Sequence, residues 1–364
     1  MKDPLIENRP ANKSSLIIWL FVGCFMIFTM VVVGGITRLT GSGLSITEWK
    51  VVTGVIPPLS QAEWESEFFK YQQIPQFQLI NSNFTLDDFK FIYFWEYIHR
   101  LIGRVIGLIF LYGLVTYYMR GVISKQLMPR LLFMFLLGGI QGFLGWYMVS
   151  SGLTENVRVS HIRLAIHLTF AFITFGYIFW VALTQLFPVK YTNRYAYTRY
   201  KKYGWTLLVL VILQVIYGAF VAGTKAGMVY TTWPMMEGEW VPDSISYMLQ
   251  KDGVGSLINN LASVQFIHRS LAYLITVIVI ALIVKVWKDK QLESGQKNSA
   301  YLLGGLVVVQ IILGIYTLLN SVPVTLGVLH QATAFFVFAT TIYFIYRLAH
   351  ASMKEKIAFV DEED

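Results

Sequence analysis

The chain of 364 residues has a single cysteine, Cys24. A lone thiol has no intrachain partner, so a disulfide framework, a cysteine-based metal site and haem held through thioethers are all excluded. Charge is scarce as well. Asp, Glu, Lys and Arg make up 14% of the residues against 55% apolar ones, too little for an ordinary soluble surface. What is present instead is apolar sequence in long runs, and the class is that of an integral membrane protein. The opening segment, "MKDPLIENRPANKSS", is too short and too acidic for an organellar transit peptide. The apolar run behind it is too long for a cleaved signal. A bacterial inner (plasma) membrane is the expected location.

Runs long enough to cross about 30 Å of hydrocarbon occur at roughly 15–36, 92–118, 131–150, 162–187, 204–223, 262–286, 300–320 and 325–348. These predict an all-α, polytopic membrane protein with eight transmembrane helices. Lys and Arg gather in cytoplasmic loops. Here they cluster before the first run and after every second one: Lys2, Arg9 and Lys13; Arg120, Lys125 and Arg130; Lys190 to Lys202; Lys285 to Lys297. Both termini are therefore expected in the cytoplasm, and the connections on the other side carry most of the acids. This distribution explains the net charge of +8 and leaves no nucleic-acid footprint. Lipid is the surrounding partner.

The chain also repeats itself, which is the next property to read. Gly34, Thr40, Gly43, Trp49 and Pro58 recur 184 positions later as Gly218, Thr224, Gly227, Trp233 and Pro242. Ile98, His99 and Arg100 recur at an offset of 169 as Ile267, His268 and Arg269, and Gln141, Gly145 and Tyr147 as Gln310, Gly314 and Tyr316. Two tandem four-helix bundles are the simplest architecture. The expected organisation is a cytoplasmic tail at 1–14, a first unit at 15–187, a cytoplasmic linker at 188–203, a second unit at 204–349 and a tail at 350–364.

Ionisable groups within a membrane helix are costly and mark function by default. "EYIHRLIGRVIG" at 96–107 holds Glu96, His99, Arg100 and Arg104. His99, His167, His268 and His330 fall at a similar depth near the outer ends of four helices, while His350 lies just beyond the last one. Imidazoles from facing helices at one level suit a low-spin haem, with one ligand on each porphyrin face. The expected pairs are His99 with His167 and His268 with His330. His161 competes with His167: the 169-residue offset maps His161 onto His330, whereas "HLTFAF" after His167 matches "HQATAF" after His330, and depth favours His167. Arg100 and Arg269 are candidates to pair with haem propionates.

Blander roles exist for each. An intramembrane histidine can be a hydrogen-bonded core residue, an arginine can snorkel to headgroups, and a histidine–carboxylate metal site is an intermediate case. Glu96 has Gln265 as its repeat counterpart. This asymmetry suggests one unit that reacts and one that relays electrons, or simply an ion pair between Glu96 and an arginine. Two other classes share some of these features: a non-catalytic bis-histidine diheme cytochrome, and a transporter on a duplicated fold.

Several separated motifs, in order, give the chain its resemblance. They are "GGITRLTGSGLSITEW" at 34–49, "EYIHRLIGR" at 96–104, "RVSHIRLAIHL" at 158–168, "AGTKAGMVYTTWPMMEGEWVP" at 222–242, "FIHR" at 266–269 and "LHQ" at 329–331. Together they resemble the haem A synthase family, in its proteobacterial and mitochondrial branch. The resemblance implies oxidation of the C8 methyl group of haem O to a formyl group for cytochrome oxidase. It implies that His99, His167 and Arg100 bind substrate haem, that His268 and His330 ligate the iron of a haem b cofactor, and that Glu96 is the essential glutamate. The branch often has no histidine at the place of His161. Ile162 departs from its usual tyrosine, and the outer-loop cysteine pairs of the Gram-positive branch are absent. Haem O synthase and the oxidase assembly machinery are compatible partners, as is self-association. The outer loops, 37–90 and 224–261, are expected either to cap the haem pockets or to form plain covers.

Overall fold

A computed structural model describes residues 11–49, 53–153, 157–187 and 194–350. Among them the chain forms α1 (Ala11–Leu39), α2 (Gln61–Gln72), α3 (Pro75–Leu79), α4 (Leu86–Met119), α5 (Met128–Leu153), α6 (His161–Leu186), α7 (Arg194–Thr224), α8 (Asp243–Asp252), α9 (Ser256–Asn259), α10 (Leu261–Lys288), α11 (Ser294–Leu319) and α12 (Val324–Ala349). Eight of these, α1, α4, α5, α6, α7, α10, α11 and α12, are long and apolar enough to cross a membrane. They coincide with the eight runs read from sequence, and the chain is a multi-pass membrane protein.

The helices outlast the apolar runs because their ends are capped. Thr85 accepts from the backbone of Asp88 while the Asp88 carboxylate accepts from Thr85, a reciprocal box that starts α4 six residues ahead of the run expected from 92. Asn260 accepts from the backbone N–H of Ser263 at the head of α10. The expected linker 188–203 is correspondingly shorter, since Arg194 to Tyr203 are already the first turns of α7. Residues 1–10, 188–193 and 351–364, on which most of the tails and the rest of that linker fall, lie outside the described residues.

The described residues separate into two compact units, one running to Val159 with Ile173–Phe187 added, the other comprising Ser160–Phe172 and the chain from α7 onward. The sequence reading kept all of α6 in the first unit. The N-terminal half groups otherwise because its small and aromatic residues pack onto later helices: Ala165 joins Ala219, Phe220 and Val264 in one apolar cluster, and Phe172 meets Phe335 and Phe338 edge to face at 5.3 Å.

In the first unit α1 packs along α4 and α4 along α5. Phe133 on α5 and Phe21 on α1 each meet the C-terminal half of α6, at Tyr177 and Phe179. Gly113 makes the α1–α4 approach possible, because a Cβ there would overlap the Trp19 indole. The connection between α1 and α4 builds a core of its own, with Leu44, Tyr71 and Ile74 buried against Phe89, Ile92, Tyr93 and Val149. Within it the amide of Gln76 donates to the Gly41 carbonyl, and Tyr71 to Gln76. The Tyr71 hydroxyl is pushed up, first by burial and further by the Glu96 charge.

In the second unit α7 packs on α10 and α12, and α11 on α10 and α12, closing a four-helix ring. One end of it is tied at Asp289, just past α10. That buried carboxylate accepts from the hydroxyls of Tyr195 and Tyr200 and from the Gln291 N–H, and pairs with Arg199 at 3.2 Å. Burial raises the Asp289 carboxyl, but these partners outweigh it and hold the group below the usual carboxylate range. The tie fixes α10 against α7, the two helices that position His268.

Candidate functional site

His268 on α10 and His330 on α12 come close together, edge to face, in the second unit. Their ring centres are 6.5 Å apart with the planes at 72°. Two axial imidazoles at metal–nitrogen distances of about 2 Å would set their ring centres about 6 Å apart, so the observed pair has the separation needed to hold one metal between them. Among the described residues there is no group of three or more His, Cys, Asp or Glu side chains that could hold a metal ion. Two imidazoles alone suit a metal whose remaining coordination comes from a macrocycle, and they disfavour the histidine–carboxylate site.

Each ring is seated by a glycine and a glutamine one turn apart on a neighbouring helix. A Cβ built on Gly218 would fall 3.3 Å from Cε1 of His268, and one on Gly314 would fall 2.9 Å from Cε1 of His330. The amide of Gln214 lies 3.2 and 3.3 Å from the two ring nitrogens of His268, and the amide of Gln310 lies at the same distances from those of His330. The Oε1 atoms of both glutamines are buried without a hydrogen-bond partner. The ring separation fits a haem held between His268 and His330. Gly314→Ala is expected to press on His330 and rotate the ring off its seat. Haem content should fall about tenfold or more, within the range for disturbed metal surroundings, with a shifted haem absorption band; unchanged spectra would contradict this seating.

The first unit repeats part of this pattern. His99 on α4 lies over Gly34 on α1, where a Cβ would come within 3.1 Å of the imidazole Nε2. His161 and His167 both lie in the half of α6 that groups with the second unit. They are six residues apart, about 120° around the helix, so they face different ways. His161 lies against α7: its ring meets Phe220 edge to face at 5.6 Å, and a Cβ on Gly223 would overlap its backbone. The Nε2 of His161 is buried with no hydrogen-bond partner.

The acid and the arginines have definite partners. Glu96, 3% exposed, pairs with Arg100 at 2.7 Å. Its other oxygen accepts from the Ser45 hydroxyl at 2.7 Å and the Ile46 N–H at 2.9 Å. Arg100 donates on to the carbonyls of Ile46 and Glu48 and lies 4.6 Å from the Trp49 ring centre. The ion-pair role considered for Glu96 is therefore realised, one helical turn apart on α4.

The second unit carries the matching tether. Arg269 donates to the carbonyls of Tyr230 and Thr232, and Gln265 also donates to Tyr230. Tyr230 and Thr232 are the 184-residue counterparts of Ile46 and Glu48. In the first unit a carboxylate receives the loop's N–H, whereas in the second an amide donates to the loop's carbonyl. Both arginines thus hold a connecting loop to the helix that bears the histidine. Arg269 retains one donor, Nε, buried without a hydrogen-bond partner. His350, just past α12, bonds through Nδ1 to the Tyr346 carbonyl and lies 4.2 Å from its ring centre with the planes tilted by 32°.

Sequence reasoning found the histidines, the arginines and Glu96. It noted Gly34, Gly218, Gly314 and Gln310 as repeats without a role, and it missed Gln214. The signal for the amides is a glutamine four residues ahead of the seating glycine, Gln214 before Gly218 and Gln310 before Gly314.

Fold and geometry together define a multi-pass helical membrane protein that brings two imidazoles, His268 and His330, close together in its second unit. The model of one protein family, described as cytochrome oxidase assembly protein, matches residues 17–342. The chain is 45% identical over 342 residues to the "Heme A synthase" of Flavobacterium psychrophilum, covering 93% of this chain and 99% of that one. It is 43% identical to the protein of that name from Parvibaculum lavamentivorans, covering 94% and 97%, and 40% identical to that from Nitrosomonas eutropha, covering 94% and 96%. The chain belongs to the cytochrome oxidase assembly protein family.

Proposed function

We propose that this protein is a haem A synthase, a haem O oxidoreductase that converts the C8 methyl group of haem O to a formyl group. Full-length similarity to relatives of that name supports the reading, and the facing His268–His330 pair carries it structurally. The second unit, 204–349, is the cofactor unit, with His268 and His330 as iron ligands of haem b. That haem supplies one-electron chemistry when bound. Gly218 and Gly314 let the two rings sit close to their helices, and Arg269 offers its Nε donor to a propionate.

The first unit, 15–187, takes the substrate. His99 and His167 are its ligands by resemblance. The choice of His167 gains support from the seating of His161 against Phe220 and Gly223. His167→Ala is expected to lose substrate haem and all conversion, while His161→Ala retains both; the reverse pattern in chromatographed haem extracts assigns the ligand to His161. Arg100 holds the loop that carries Ile46 and Glu48. Glu96 fixes that loop and places a negative charge one turn from His99, where it can stabilise positive charge developing at the oxidised carbon.

The relay alternative, a diheme cytochrome without catalysis, would leave Glu96 only its loop-holding bonds to Arg100, Ser45 and Ile46. The expected location is the bacterial inner membrane with both termini cytoplasmic. The enzyme that forms haem O is the expected supplier and the oxidase assembly machinery the expected recipient. The direct test expresses the chain in cells that make haem O but no haem A. Haem A in their extracts supports the function, and its absence alongside a correctly inserted protein refutes it.

A further inference from the structure

Arg104 belongs to the charged stretch at 96–107, yet the site described above gives it no role. It stands in the middle of the apolar run at 92–118, where a guanidinium is costly. With Tyr93, Tyr97 and Arg100 it forms one stripe of α4, spaced by four, three and four residues, and this stripe is one wall of a cavity of about 290 Å³. The opposite wall is the connection between α1 and α4, with Pro57 and Pro58 and then Glu63 and Glu67 of α2. His99 lies about 100–160° around the helix from each member of the stripe, so the cavity is separate from that imidazole. Its size is at the lower bound for small-molecule sites, which suits a headgroup and not a macrocycle.

The order of groups along the stripe describes what fits. Beyond Arg104 it continues at the same spacing as Leu108, Leu111 and Val115, all exposed, so an apolar track runs on from the cavity. Arg104 itself presents a planar fork of donors suited to phosphate. The other end is acidic: Trp64 packs on Tyr93 at 5.0 Å edge to face, which sets Glu63 and Glu67, on either side of Trp64 in α2, far along the stripe from Arg104. Glu63 is held at this rim because its Oε2 accepts from the N–H groups of Leu59 and Ser60. In and beside the lining Arg100, Arg104 and Lys70 stand against Glu48, Glu63, Glu67 and Glu96. Acids outnumber bases, so a net anion is repelled where a zwitterion is not. Apolar track, guanidinium and carboxylates follow one another as the chains, phosphate and ammonium do in phosphatidylethanolamine.

The second unit has no such lining. The repeat counterparts of Arg104, Glu63 and Glu67 are Tyr273, Tyr247 and Lys251, and Tyr273 closes directly onto its loop by donating to the Pro234 carbonyl at 3.4 Å. Holding a loop to the helix therefore does not require the guanidinium. We propose that the first-unit cavity binds one phosphatidylethanolamine. Arg104 donates to its phosphate, Glu63 accepts from its ammonium, and its chains lie along Leu108, Leu111 and Val115. The lipid braces the connection between two ties already present, the Arg100 bonds to the Ile46 and Glu48 carbonyls and the Tyr97 hydroxyl bond to the Val55 carbonyl.

The test is native mass spectrometry of the purified full-length protein with dioleoyl phosphatidylethanolamine or dioleoyl phosphatidylglycerol at equal concentration. One phosphatidylethanolamine should be retained, about tenfold more tightly than phosphatidylglycerol. Arg104→Gln should weaken its retention about tenfold, as expected for losing one hydrogen bond to a charged group. Arg120→Gln, which changes an exposed arginine just past the other end of α4, should leave retention unchanged. Ser66 is an exposed member of the acidic end of the lining. Ser66→Lys adds positive charge there and should invert the preference toward phosphatidylglycerol, a change that a merely structural role for Arg104 would not produce. Equal retention of the two lipids by the wild type, undiminished retention by Arg104→Gln, an equal loss in Arg120→Gln or an unaltered preference in Ser66→Lys overturns the proposal. If Arg104→Gln does not insert, the wild-type preference and its inversion in Ser66→Lys decide alone.

Discussion

His330→Ala should yield a protein without haem b. The two imidazoles sit 6.5 Å apart in the second unit, and removing one leaves a metal with a single protein ligand in a site shaped for two. It also deprives the Gln310 amide of its partner and opens the space above Gly314. Disturbing residues behind metal ligands already lowers affinity by 10–100-fold, so loss of a ligand itself should lower it about 100-fold or more. His268→Ala should act equally, since its ring is held by the equivalent glycine and glutamine. Haem O bound in the first unit should remain. Chromatography of extracted haem checks this directly, and haem b retained at full occupancy in either variant would contradict the assignment.

The second large effect concerns Glu96, whose two oxygens are engaged by Arg100, Ser45 and the Ile46 N–H. Glu96→Ala leaves an arginine and two donors without their acceptor. Breaking a buried ion pair in this way costs about 3–5 kcal/mol, so the variant should be less stable and should make no haem A while still binding haem. Glu96→Gln tells the two roles apart. It keeps the shape and can still accept from Ser45 and Ile46, but it carries no charge, as Gln265 carries none in the second unit. If the charge acts on the reaction, this variant should fold, bind haem O and convert it at least about 100-fold more slowly, a loss typical of removing one electrostatic stabiliser. Conversion at the wild-type rate by Glu96→Gln would show that the residue serves only to hold its loop.

Much of the architecture was legible because lipid imposes it. Eight apolar runs reflect the thickness of hydrocarbon and the need to pair every backbone group within it, and these leave clear marks in sequence. The helices α2, α3, α8 and α9 left weaker ones. The helices α2 and α3 pack through scattered aromatic residues such as Tyr71 and Phe77, α8 and α9 through single aliphatic ones such as Ile245 and Ile258, and only the capping box from Ser60 to Glu63 announces the first of them. The division of α6 was not legible either, because Ala165 and Phe172 look like any other apolar residue until their neighbours are known.

At the site, identity was easier to read than partnership. Histidines stand out in hydrocarbon sequence, so candidates could be named before their surroundings were known. The arginines stood out equally, but their partners are backbone carbonyls of Ile46, Glu48, Tyr230 and Thr232, which have no side-chain signature. Hence the propionate role was the natural expectation and the loop tether came only with the structure. The seating glycines were visible as repeats and acquired a function only when a ring was found above each. Gln214 escaped because its repeat counterpart is Met30, so no identity marked it.

The most direct measurement is a pyridine-haemochrome spectrum with chromatography of the pigment bound to the purified protein. Haem b together with haem O or haem A is the expected result, with the b-type component lost on removal of His268 or His330. Haem b alone would describe an electron relay, and a protein purified without any haem would contradict the pairing of imidazoles on which the rest depends.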